Sequence, residues 1–185
     1  MGTFISYLFI AFIIYAVILI ARNPNRIQEV ISHWHHLFDT PPFSSQDFYQ
    51  AVQAAVETKE VKGVTFLRVV YSEGGIFTPN REYLRVKYYD YAFDICAAPF
   101  GNGYFVSWWL GELETPFFAL LMNIPLIGGW FRKRDKTFFE LDTETMFKET
   151  VSHCIKEVVE KLTEERGQRK LSDADWNIYN RQYKS

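Results

Sequence analysis

From Phe4 to Ala21 the chain carries no charge, and its polar groups are Ser6, Tyr7 and Tyr15. At 1.5 Å per residue a helix over this run reaches roughly 27 Å, close to the ~30 Å hydrocarbon core of a bilayer. A buried helix of a soluble domain normally keeps a polar face, and this run has none. The pattern predicts a transmembrane anchor over 1–22, with Phe4, Leu8, Phe12, Ile13, Val17 and Ile20 as anchor residues. No basic residue precedes it, which argues against a cleaved signal peptide. Arg22 and Arg26 follow it, and the positive-inside rule then places the C-terminal side in the cytoplasm.

Asn23-Pro24 reads as an N-cap with proline at the first helical position. Ile27, Val30, Ile31, Trp34, Leu37 and Phe38 follow at helical spacing, so 23–42 is expected to be a juxtamembrane amphipathic helix ending in a proline linker. It either lies in the headgroup layer, where Trp34 suits the interface, or packs on the domain. Residues 43–166 then read as one domain. Ser44 with Asp47 opens a helix to about Lys59. Alternation predicts strands at Val64–Ser72, Arg81–Tyr88, Tyr91–Ala97 and Tyr104–Leu110, with Gly101-Asn102-Gly103 as a hairpin turn. Thr137–Leu141 is a candidate fifth strand. Asp142 or Thr143 caps a long helix with an apolar stripe from Phe147 to Leu162. Residues 167–185 hold a last short helix opened by Ser172. The expected fold is α+β in two layers: an antiparallel sheet of four or five strands, covered by helices on one face.

From Pro116 to Phe131 the only polar side chain is Asn123, and Pro125 and Gly128-Gly129 interrupt the run. It is too short to span a bilayer alone and too apolar to stay in water. Phe117, Leu121, Leu126 and Trp130, with the basic cluster Arg132, Lys133 and Arg134 behind them, are candidates for contact with an anionic leaflet. Burial against protein is the other reading. Net charge is −2, so bulk electrostatics point to no nucleic-acid partner. The 18% aromatic content argues for a folded chain, and two cysteines are too few for a disulfide framework.

Candidate chemistry is sparse. His33 and His36 would share a helical face, but no carboxylate or cysteine completes a metal site, and no metal or cofactor is expected. Cys96 has no histidine beside it in sequence, so it reads as a packing residue rather than a nucleophile. Arg68, Arg85, Lys87 and Asp94 are expected to point together on the polar face of the sheet. With Trp108 and Trp109, which must face opposite ways on one strand, they are the candidates for a partner surface.

The segments Arg81–Val86, Phe93–Gly103 and Phe105–Glu112 resemble bacterial single-pass membrane proteins without assigned activity. That resemblance implies a bacterial inner-membrane location and transfers no site residues. The sequence thus points first to a non-catalytic, membrane-anchored accessory or scaffold protein with membrane lipids and a protein partner or second copy as its contacts. A lipid or apolar-ligand binding module at the membrane surface is the alternative. An enzyme assembled from distant residues such as Asp94, Glu112 and Arg85 stands third.

Overall fold

The computed structural model describes residues 27–39, 43–71, 80–113 and 136–180, and in addition Tyr7, Phe12, Ile14 and Tyr15. Their elements are β1 (Ile27–Phe38), α1 (Ser45–Glu57), β2 (Val64–Tyr71), β3 (Arg81–Tyr88), β4 (Tyr91–Phe100), β5 (Gly103–Leu113), α2 (Phe138–Glu165), a 3-10 turn (Asp173–Trp176) and β6 (Tyr179–Asn180). Among the described residues the sheet has six strands in the order β2-β3-β4-β5-β1-β6, and every neighbouring pair is antiparallel.

The meander β2 to β5 follows directly from alternation and tight turns. Gly101 takes φ +59° in the β4–β5 hairpin, where a left-handed residue lets the strands keep their twist. The first face of the sheet presents Leu84, Val86, Phe93, Ile95, Val106, Trp108 and Leu110, all buried. α1 lays Phe48, Tyr49, Val52 and Val56 on it, and α2 lays Phe147, Val151, Ile155 and Val158 beside them. Phe147 meets the edge of Phe93 at 5.4 Å between ring centroids. The Tyr49 hydroxyl accepts from the Ala97 amide at 3.0 Å, which pins α1 to β4. Both helices start where their caps dictate. Ser44 accepts from the Asp47 amide, and Thr137 forms a reciprocal capping box with Glu140.

Several expectations are corrected. The largest concerns the membrane. No helix among the described residues is long and apolar enough to cross one. Of residues 1–22 only Tyr7, Phe12, Ile14 and Tyr15 are described, so the anchor positions Phe4, Leu8, Ile13, Val17 and Ile20 lie outside the described residues. Arg22, Arg26, Phe117, Leu121, Leu126, Trp130, Arg132, Lys133 and Arg134 lie outside them as well. With no such helix among the described residues, the single-pass topology, the inner-membrane location with a cytoplasmic domain, the membrane-anchored accessory or scaffold function and the lipid partnership are withdrawn, and so is the likeness to single-pass proteins drawn from residues 81–112.

Among the described residues the sheet has six strands rather than four or five. The segment expected as a juxtamembrane helix is β1, which fills the slot beside β5. Its register slips between Ile27 and Glu29 and again between Val30 and Ser32. The slips set Ile27 and Val30, and Ile31 and Trp34, three residues apart, while Leu37 lies on the face opposite Trp34 and Phe38, so apolar residues on both faces of a bulged strand give a helix-like spacing. Trp34 is therefore not an interfacial residue. It is 1% exposed, stacked on Trp176 at 4.5 Å, with its Nε1 donating to the Asp175 carbonyl at 2.7 Å. Thr137–Leu141 is not a strand but the capped first turn of α2. Beyond Ser172 the chain forms a 3-10 turn and then β6, which pairs with β1 at Ser32 and His33.

Candidate functional site

In antiparallel pairs, residues opposite one another project to the same side. The registers Leu67↔Arg85, Arg85↔Asp94, Asp94↔Trp109 and Trp109↔His33 therefore set one row across the second face of the sheet, away from α1 and α2. At its centre is an ion pair. Arg85 Nε donates to Asp94 Oδ1 and Arg85 Nη2 to Asp94 Oδ2, both at 2.6 Å. The Tyr71 hydroxyl donates to Asp94 Oδ2 at 2.7 Å and accepts from Arg85 Nη2 at 2.5 Å. Arg85 is 0% exposed and Asp94 3%. Two charges this deep persist only when the fork geometry is good and the donors are satisfied, and both hold here. Burial pulls the Arg85 guanidinium down, but its bonds to Asp94 outweigh that and hold it above its ordinary value. Burial pushes the Tyr71 phenol up and the Asp94 charge reinforces it, so the phenol stays protonated and donates.

A cleft of about 270 Å³ lies over this pair. Among the described residues its lining is Asp94 with Ile27, Val30, Tyr71, Tyr83 and Trp109. Tyr71 and Tyr83 meet edge to face at 5.2 Å. Trp109 is stacked by His33 at 4.5 Å and 12°, and Tyr179 stacks on His33 in turn at 5.0 Å. Trp109 lines the cleft with 37% of its surface exposed. Beside the cleft, Cys96 is buried, and burial pushes its thiol up, so the protonated form dominates at neutral pH. A thiol in that state is a packing group and not a nucleophile.

The other sequence candidates disperse. Arg68 sits on the first face, opposite Leu84, with its guanidinium 4.5 Å above the Tyr49 ring and 3.7 Å from Glu82. It does not join Arg85, because Leu67 and not Arg68 is in register with Arg85. Lys87 shares the second face, opposite Ala92. Trp108 is 1% exposed in the core, while Trp109 faces the cleft. Glu112 lies opposite Tyr91 on the helix side, 3.9 Å from Lys136, so it does not converge with Asp94 and Arg85. His33 and His35 project to the second face and His36 to the first, which separates the pair that a helix would have joined. No group of three metal-binding side chains occurs among the described residues.

Sequence reasoning missed Tyr71, Tyr83, Ile27 and Val30 as site residues. Alternation links Tyr71 to Leu67, but only the β2–β3 register places both with Asp94. Ile27 and Val30 reach the cleft only because β1 is a strand beside β5.

No family model matches the chain, and no curated protein matches it either. Among solved structures it is similar to the crystal structure of TTHA0849 from Thermus thermophilus, at 16% identity and a TM-score of 0.25, over 69% of this chain and 94% of that one. A likeness that low transfers no function.

Proposed function

We propose that this chain is a small-molecule binding module that holds one flat, largely apolar group against Trp109 and the tyrosine pair. The observation that supports it is the cleft itself: among the described residues, aromatic and aliphatic walls stand around Asp94, whose charge is paired with Arg85. Binding clefts commonly have this composition, with apolar walls fixing affinity and a few polar atoms fixing orientation. An engineered apolar cavity of about 150 Å³ takes a benzene ring. The present cleft, at about 270 Å³, suits one or two fused rings.

The groups at the site are poorly suited to acid–base work. Asp94 is committed to Arg85 and Tyr71, and the Tyr71 phenol and Cys96 thiol are both held protonated. Binding is therefore a better account of the geometry than turnover.

Calorimetric titration of the full chain with a bicyclic aromatic such as indole tests this. A ligand of that size binds with Kd on the order of tens of micromolar to millimolar. Trp109→Ala is expected to weaken it about tenfold, the loss of one aromatic contact of about 1.4 kcal/mol. Failure of every bicyclic aromatic to bind, or binding indifferent to Trp109→Ala, would overturn the proposal.

A further inference from the structure

We infer that the ligand's ring carries an N–H or O–H donor and that Asp94 Oδ1 accepts it, which makes Asp94 the specificity-determining residue of the cleft. This rests on reading the cleft as a binding site. It is carried by a count of acceptor positions. An ionised carboxylate offers about two acceptor positions on each oxygen. Asp94 Oδ2 takes two donors, the Tyr71 hydroxyl and Arg85 Nη2. Asp94 Oδ1 takes one, Arg85 Nε. One position on Oδ1 is left, on a residue that lines the cleft and is otherwise buried.

The neighbouring polar groups do not compete for this role. The Tyr71 hydroxyl gives its proton to Asp94 and accepts from Arg85, and the acceptor capacity left on it is that of a neutral oxygen, weaker than a carboxylate's. The Tyr83 phenol lies beside Arg81 and Cys96, and burial holds it protonated. An anionic ligand is disfavoured, because the Arg85 fork is closed on Asp94 and the carboxylate itself faces the cleft. An apolar ring without a donor would cover Oδ1 and strip it of water without replacing the bond, and a buried charged acceptor left unpaired is costly. A ring with a donor completes the carboxylate's shell in the same position.

The test is a matched set of ligands, so that the protein stays unchanged. Indole and benzofuran have nearly the same shape, but benzofuran carries an ether oxygen where indole has N–H. Both are titrated into the full chain by calorimetry, with amide chemical shifts followed for Asp94 and Trp109. Indole is expected to bind about tenfold to a hundredfold more tightly than benzofuran, the discrimination of one hydrogen bond to a charged acceptor. Equal affinities would overturn the role of Asp94 and leave the binding cleft standing. Shifts confined to other residues would overturn it too. Saturable binding of neither ligand would sink the cleft and this inference together.

Discussion

Arg85 lies between two strands with its whole side chain out of water, and Asp94 holds it on the second face by two parallel charged bonds. Removing one member of such a pair leaves the other as a buried, unmatched charge. Arg85→Ala is therefore expected to destabilise the domain by about 3–5 kcal/mol, read as the loss of unfolding free energy in urea. Replacing both at once, Arg85→Met with Asp94→Leu, is expected to cost clearly less than the single change, because it removes both desolvation penalties. Stability should also depend on acidity through His33 and His36. Burial lowers the pKa of both below the ordinary histidine value, with the neighbouring His35 adding to the effect at His33. The unfolded chain then binds their protons more readily than the native one. Their contribution is complete above about pH 6.5 and is lost as the pH falls below it. Thermal unfolding followed between pH 8 and 5 should show a falling Tm, and His33→Phe with His36→Phe should flatten that slope. Asp175 acts in a lower window. The Ser172 hydroxyl and amide hold its carboxylate below the ordinary value, so its contribution fades only as the pH drops beneath about 3.8.

Among the elements, β1 shows how a pattern can mislead. Its apolar residues recur at helical spacing, yet it is a twelve-residue strand with two register slips. A bulge inserts a residue and shifts the faces, and with Leu37 apolar on the face opposite Trp34 and Phe38 the strand shows spacings of three and four that mimic a helix. The pairing of β1 with β5 has a local test. At Gly111 an added methyl group would meet the Ile27 side chain and come within 2.6 Å of the Glu29 carbonyl oxygen, a backbone atom that cannot swing aside. Gly111→Ala is expected to lower stability by about 1–3 kcal/mol in a urea titration. Were residues 27–38 a separate helix, the same substitution would have no such neighbour. The remaining elements were set locally. Ser44 caps α1 as its sequence suggests, whereas α2 begins five to six residues earlier than Asp142 or Thr143 because Thr137 and Glu140 satisfy each other's donors.

Across the molecule, the described residues form one core between the first face of the sheet and helices α1 and α2, and it joins residues far apart in the chain, such as Phe93 with Phe147 and Tyr49 with Ala97. The central strands β4 and β5 carry most of the sheet's share of that core; β5 is paired along its length on both sides, and β4 on both sides from Tyr91 to Ile95. Native-state hydrogen exchange should find their amides the slowest. The two-residue β6, held to β1 at Ser32 and His33, should exchange fastest among the strands. Equal protection across the sheet would contradict that ordering. The meander β2 to β5, the α1 cap and the apolar stripe of α2 were legible in the sequence, because alternation, Gly-Asn-Gly at a turn and capping pairs are consequences of neighbours a few residues apart. The cleft was not legible. Asp94 and Arg85 were visible as polar strand positions, and Trp109 as one of two tryptophans with opposite directions. Their union with Tyr71, Tyr83, Ile27 and Val30 depends on the registers of β2 with β3 and of β1 with β5. Register is a long-range property: a slip of one residue sends every side chain of a strand to the other face, and only packing against partners distant in the chain decides between the two.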